Sequence, residues 1–541
     1  MHRIALFHGY ELTGSGSNEY TRYLARALAR TGREIHVICR EPDPAGVPDV
    51  TAAVAWRADG THEVLFGVPS GDGAIIVHQL PHADVRPVYV TDKRREGNVK
   101  AFTDLTDAEL SEVRGLASEA LRRVLMDFPV DLLHANHTVL QPTIAADACV
   151  PLAIPFVIYP HGSDIEYTIR QDDRYLRLAG EALAAADGVI TGSREMLERL
   201  LALYPEQAES LRTKWSLVGV GVDVSHFVPV ARADRRSAIE ALAATRPGGG
   251  RSSADAANLL AGLRHDGLQA LAPTDNFAPE LPDDDVAARL LELDWEHDQV
   301  LVFVGALTVG KGVQGLIAAM PEVVRRHPKA HLIVVGSGRY RDVLEALVHA
   351  IATGDEELLD QLVSHGNDLD QGPTSGAWQD AAAYLADPDR RRLVLSAGAE
   401  FADHIHFTGR LDHTRLNLLF PCADLAVFPS VLAEAYPLVV MESLASGVLP
   451  CASKLTGLGE GLGDLEPELG SAVVDRLRLP VDPTVRVVSM ARQLAELLAD
   501  PDVPALGPTL RRIAVERYDW GVRAEQMLAA YTRAIRGSSV E

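Results

Sequence analysis

Apolar and polar positions follow one another along this chain in the rhythm of buried strands and amphipathic helices. The run from Arg3 to Phe7 predicts a first buried strand, the polar stretch HGYELTGSGSNEY a loop, and TRYLARALARTG a helix with apolar residues at helical spacing. EIHVICR predicts the next strand, and the strand and helix alternation is expected to continue through this half. Residues 68–127 are less regular, although a helix is expected from about Asp107 to Leu125. VDLLHANH and PFVIYPHGSDIEY predict two more strands, the second ending near His161, and GVITGSREMLERL a further strand and helix. VLVFVGALTVGKGVQGLIAAM then restarts the opening order of strand, glycine-bearing loop and helix, so the two halves read as tandem doubly wound α/β domains. The stretch of about 231–297 between them is longer than an ordinary connection and rich in Gly, Pro and Asp at its ends. It reads as an insertion with surface-connection character, and a second insertion is expected at about 354–400.

In open parallel sheets ligands bind beyond the carboxyl ends of the strands. His134, His137, His161 and Asp164 are candidates by that position. Gly14 and Gly16 precede the first helix, where glycine admits a ligand close to the backbone and the helix start offers amides to an anion; a plain flexible turn uses the same residues. Lys311 puts a cation in the corresponding loop of the second half. The stretch VFPSVLAEAYPLVVMESLASG, Val427 to Gly447, holds a buried strand end, a turn and a helix start, with Pro437 suited to the first helical position and Gly447 to the close. A diphosphate can lie over Leu438 and Val439 at that helix start, and Glu442, one turn in, can accept from ribose hydroxyls. Glu434 sits on the loop before it; an amphipathic helix with one capping and one solvated Glu fits the same spacing. TDKRREGNVK gathers Lys93, Arg94, Arg95 and Lys100, either to grip an acidic acceptor or as a solvated loop balanced by Asp92 and Glu96. The histidines lack the ligand spacing of a zinc site.

Charge and cysteine content narrow the chemistry. With 51 basic and 75 acidic residues the net charge is −24, which argues against nucleic acid as the main partner, since neutralising phosphates needs a basic face. Cys39, Cys149, Cys422 and Cys451 have no paired spacing and read as reduced core residues of a cytoplasmic protein. The first residues hold too short an apolar run for a signal peptide, and no run nears the ~18 residues of a membrane span; peripheral membrane contact stays open.

The Glu434 and Glu442 pair resembles the donor site of the family 4 retaining glycosyltransferases, whose GT-B fold consists of two Rossmann-like domains facing a central cleft. His161 to Asp164, HGSD, is similar to that family's His-Gly-x-Asp segment, whose histidine lies near the transferred sugar. Gly221 to Phe227 resembles its Gly-Val-Asp-x-x-x-Phe exit from the first domain, Lys311 matches the lysine of its Lys-Gly pair, and Gly409, Arg410 and Leu411 resemble the stretch that contacts the nucleotide base. The resemblance implies catalytic roles for Glu434, Lys311 and His161. It implies donor contacts from Gly16, Glu442, Leu438, Val439, Tyr436, Arg410 and Leu411 and acceptor contacts from Asp164 and Asn18, to which loop position adds Arg339 on the donor side and the basic cluster adds Lys93 on the acceptor side. No cofactor and no metal are expected; a nucleoside diphosphate sugar serves as co-substrate, and the acceptor is unidentified. An acceptor domain over 1–226, rejoined by a C-terminal helix at about 520–541, and a nucleotide-sugar domain over 227–519 follow from the same likeness. One departure stands out: Ala306 follows Gly305 where the family usually carries arginine, leaving Arg339 and Arg410 as candidates for the missing charge. Two rival readings are a sugar-nucleotide epimerase on the same fold and a degenerate, non-catalytic nucleotide-sugar-binding subunit.

Overall fold

The computed structural model describes residues 1–14, 16–89, 98–162, 164–271, 281–370, 374–434 and 438–538. The chain divides into two compact units: Met1–Gly221 is completed by Arg517–Glu541, and Val222–Glu434 by Val439–Glu516.

The strands of the first unit are β1 (Arg3–Phe7), β2 (Glu34–Cys39), β3 (Ala52–Trp56), β4 (His62–Phe66), β5 (Ile75–Gln79), β6 (Val85–Val88), β7 (Asn98–Ala101), β8 (Leu132–Asn136), β9 (Phe156–Tyr159), β10 (Gly188–Thr191) and β11 (Trp215–Leu217). Its main sheet has the order β11-β10-β9-β8-β1-β2-β5-β3-β4, while β6 and β7 pair separately. β1 is parallel to both β2 and β8 and is buried from Ile4 to Phe7, which is why its sequence is an unbroken apolar run. The expected alternation fails between β2 and β5, where the chain makes an antiparallel hairpin of β3 and β4. Asp59-Gly60 at its tip, with Gly60 at φ +83°, is the turn chemistry such a hairpin needs. Helix Asp107–Asp127 starts at a capping box, Thr106 receiving the Glu109 amide and Glu109 the Thr106 amide. The C-terminal helix Trp520–Ser538 closes this unit: Trp520 packs edge-on to Tyr20 at 5.8 Å, and the Tyr531 hydroxyl lies 2.8 Å from His134 Nδ1.

The second unit holds β12 (Gln299–Val304), β13 (Ala330–Val335), β14 (Ile405–Gly409), β15 (Leu425–Phe428), β16 (Leu449–Ser453) and β17 (Arg478–Leu479), all parallel, in the order β14-β13-β12-β15-β16-β17. The surface-connection reading of 231–297 is corrected here. Helix Arg235–Ala244 buries Ile239 and Leu242 completely, and Trp295 is 2% exposed. Arg232 and Arg235 both pair with Asp424, whose other oxygen accepts the Val300 amide of β12 at 2.8 Å. Asp283 receives Arg289 at 2.8 Å and Arg341 at 2.9 Å. Pro282 bridges Gly409 at the end of β14. The stretch 354–400 likewise contributes core, with Trp378 and Tyr384 each 1% exposed and helix Gln379–Leu385 packed on helix Pro483–Ala499.

The four cysteines are free and buried, and burial pushes each thiol up to about 12. Among the described residues no helix is long and apolar enough to cross a membrane.

Candidate active site

At the carboxyl end of β12 the chain passes through Thr308 and a short turn, Val309–Lys311, into helix Val313–Arg326. Gly312 makes this possible. Its φ is +73°, and a Cβ there would lie 1.9 Å from the Pro429 carbonyl, so only glycine lets the two loops touch. The Val431 amide donates to Gly310 O at 2.8 Å, which knits the loop after β15 to the loop after β12. Against that backing the Lys311 ammonium donates to the Glu434 carboxylate, and the Ser430 hydroxyl donates to the same oxygen at 2.8 Å. These two sequence candidates, 123 positions apart, are therefore partners.

Beneath the lysine turn, Asp370 accepts the Val309 amide at 2.9 Å. Burial raises its pKa to about 6 against the opposing pull of that bond and of the Arg339 charge. Arg339 follows Gly338 in the loop after β13; Gly409, at φ +71°, ends β14, and the Arg410 amide donates to Leu281 O at 3.3 Å. Leu411 is buried.

Glu442 lies apart from this pair in its bonding. It sits in helix Leu438–Ala445, is 5% exposed, and accepts from His413 Nε2 at 3.0 Å. Leu438 and Val439, half-buried, form the first turn of that helix. Tyr436 and Pro437 lie outside the described residues, as does Lys93. The two glutamates thus hold different cations or donors, Glu434 a lysine and Glu442 a histidine.

In the first unit the carboxyl edge of the sheet is built from rings. His8, just after β1, donates through Nε2 to Asn18 Oδ1 at 2.9 Å, and Asn18 Nδ2 donates to Thr13 O at 2.6 Å; Gly16 begins the helix that carries Asn18. His161 donates through Nε2 to Asn136 Oδ1 at 2.7 Å, which fixes its tautomer. His137 stands between them, 5.6 Å from His8 and 4.6 Å from His161 between ring centroids. Burial holds His8 down at about 4 and His137 and His161 well below the ordinary imidazole value, so all three are neutral at pH 7. Asp164 is fully buried and accepts from both the amide and, at 2.6 Å, the hydroxyl of Thr138; burial raises its pKa against those bonds. Its carboxylate therefore organises the loop after β8.

Sequence reasoning missed His413, Asn136 and Asp370 as members of these two edges. His413 was within reach, three residues beyond Arg410; the others become visible only through contacts distant in sequence.

Two family models match. The Glycosyl transferase 4-like domain covers residues 15–212, and Glycosyl transferases group 1 covers 292–358 and 385–506. A glycogen synthase of Mycobacterium tuberculosis is 28% identical over 241 residues, 44% of this chain and 43% of its own. A phosphatidyl-myo-inositol mannosyltransferase of the same species is 25% identical over 233 residues, 43% of this chain and 46% of its own. The chain spans under half the length of these curated relatives. Sucrose-phosphate synthase from Thermosynechococcus elongatus superimposes with a TM-score of 0.58 at 20% identity, covering 98% of this chain and 99% of its own. The catalytic domain of starch synthase IV from Arabidopsis thaliana, bound to ADP and acarbose, gives 0.56 at 13% identity, with 99% of each chain covered.

Proposed function

Since the chain belongs to the GT-B glycosyltransferases of the family 4 type, which transfer a sugar from a nucleotide sugar, we propose that it moves a hexosyl group onto an acceptor hydroxyl with retention at the anomeric carbon. The observation that carries this reading is the Lys311 and Glu434 pair beside the start of helix Leu438–Ala445.

In the reaction a bond from the acceptor oxygen to the anomeric carbon replaces the bond from that carbon to the diphosphate. The diphosphate leaves with the bonding electrons, and the acceptor's proton passes to the departing phosphate or to water. The diphosphate rests on the free amides of the helix start at Leu438 and Val439. Lys311 neutralises the charge that grows on it, an interaction stronger in the transition state than in the ground state. Binding the diphosphate releases Glu434 from its lysine, and its carboxylate then accepts from sugar hydroxyls. Glu442, oriented by His413, takes the ribose, and the backbone at Arg410 and Leu411 meets the base. Arg339 and Arg410 stand in for the arginine replaced by Ala306. In the first unit, neutral His161 is available to a sugar hydroxyl, and Gly16 and Asn18 lie in the first turn of the helix after β1. The nucleoside diphosphate sugar is the co-substrate, no further cofactor or metal enters the reaction, and the enzyme works on the cytoplasmic side.

A thermal-shift screen of nucleoside diphosphate sugars tests the donor, because a ligand at ~100 times its dissociation constant stabilises by ~2.7 kcal/mol. Anomeric coupling constants of the product report retention. A panel without any shift, or a product epimerised within the nucleotide sugar, overturns the proposal.

A further inference from the structure

Thr456, at the start of helix Thr456–Gly463, has φ +46°. A β-branched residue in the left-handed region is an outlier, and backbone outliers that persist point to a function that holds them there. Glycine would take this conformation without strain, so something about the threonine side chain matters. Its hydroxyl makes no bond to its own helix, as an ordinary capping threonine does. It reaches back 22 positions instead: Oγ1 receives the Glu434 amide at 2.9 Å and donates to the Glu434 carbonyl at 2.8 Å. The next residue adds a third tie, the Gly457 amide donating to that same carbonyl at 3.0 Å. One hydroxyl thus holds both peptide groups that flank the Glu434 α-carbon.

The other end of the loop is fixed as firmly. Arg486, on helix Pro483–Ala499 and 3% exposed, donates through Nη2 to Pro429 O at 2.8 Å, Ser430 O at 2.5 Å and Ser453 Oγ at 2.7 Å. Between the two anchors only the side chains of Ser430 and Lys311 reach the Glu434 carboxylate in the described residues.

We propose that Thr456 is a positioning residue for Glu434: its hydroxyl, held in a strained backbone, locks the Glu434 peptide so that the carboxylate faces Lys311, with Arg486 anchoring the start of the loop. The proposal rests on the reading of Glu434 as a donor-site group. It does not need Thr456 to touch substrate.

The test compares Thr456→Val, Thr456→Ser and Thr456→Gly in the full chain. Without ligand, Thr456→Val and Thr456→Gly raise amide exchange in the peptide containing Glu434 by about tenfold, the loss of one intramolecular hydrogen bond, while exchange in β12 is unchanged and reports an intact fold. Thr456→Ser keeps wild-type exchange. With UDP-glucose, or the sugar nucleotide of the panel that gives turnover, Thr456→Val and Thr456→Gly lower kcat about tenfold or more and leave UDP affinity within about twofold; Thr456→Ser restores kcat. Wild-type exchange in Thr456→Val, or wild-type kcat in Thr456→Gly, overturns the proposal. A Glu434→Gln variant with full turnover instead overturns the reading of Glu434, while the exchange arm still decides whether Thr456 holds the loop.

Discussion

The carboxyl edges of the two sheets have opposite electrostatics. The first presents imidazoles that burial keeps neutral, one pair stacked at 5.6 Å and the other tilted at 4.6 Å, oriented by the amides of Asn18 and Asn136. The second presents charge in pairs: Lys311 with Glu434, and Arg486 with its guanidinium 3.9 Å from Asp380. Neutral rings suit hydroxyl groups, which need hydrogen bonds without a large desolvation penalty. Paired charges suit a leaving diphosphate, which can exchange one partner for another as it forms. The difference teaches that each unit's sequence is read best through what its edge must do to a proton or a charge, although both sheets have a parallel core.

The sharpest way to break the comparison is to remove what supports the charged edge. Deleting residues 235–266 strips Ile239 and Leu242 from the core and leaves Asp424 without Arg235. The expected outcome is loss of the second unit's cooperative unfolding transition in calorimetry, while the first unit keeps its own.

Next in size is the pair of Lys311 and Glu434. Lys311→Ala lowers transfer by roughly 10²–10³, the usual effect of losing one group that stabilises developing negative charge. Steady-state assays check it, and adding Arg339→Gln or Arg410→Gln to Lys311→Ala shows, through non-additivity, whether either arginine shares the diphosphate.

Acid acts with opposite sign on the buried imidazoles and the buried carboxyls. His8 has a folded pKa of about 4 against an unfolded 6.5, so its neutral native form is fully stabilised above pH 6.5 and loses on the order of 3 kcal/mol as pH falls to 4. Asp370 runs the other way: its pKa is raised to about 6 from 3.8, so protonation as pH falls through 6 toward 4 favours the folded state. Asp164 has the sign of Asp370, and His406, down to about 3, that of His8, so variants must isolate the terms. Urea titrations at pH 7, 5.5 and 4.5 should show a flatter profile for His8→Gln and a steeper loss for Asp370→Asn.

The smallest expected effect distinguishes the glutamates. Glu442→Gln weakens binding of free nucleotide by about tenfold through a poorer ribose contact, whereas Glu434→Gln leaves it within about twofold and lowers transfer instead. Isothermal titration against transfer rates decides it, and the reverse pattern exchanges the two roles.

Strands such as β1, β8 and β12 were legible because central parallel strands are buried on both faces and read as apolar runs, as from Val300 to Phe303, whereas β5, inside the stretch read as less regular, was not. The hairpin of β3 and β4 was legible in principle from Asp59-Gly60, but β4 is an edge strand with Val64 and Leu65 exposed, so its pattern mimics a loop. The core role of the short helical patches within 231–297 escaped because what fixes them lies far away, at Asp424 and Gly409. In the site, Lys311 and Glu434 were each visible from their loops. Thr456 and Asp370 were not, since a hydroxyl or carboxylate bonded to distant backbone leaves no local pattern.

The helix that closes the first unit has a consequence for biosynthesis. Its Tyr531 and Trp520 complete a sheet whose other strands all precede Val222, so a ribosome must finish the entire second unit before the first can shut. The nascent first unit therefore waits with the surface around His134 and Tyr20 uncovered until Trp520 and Tyr531 have been made.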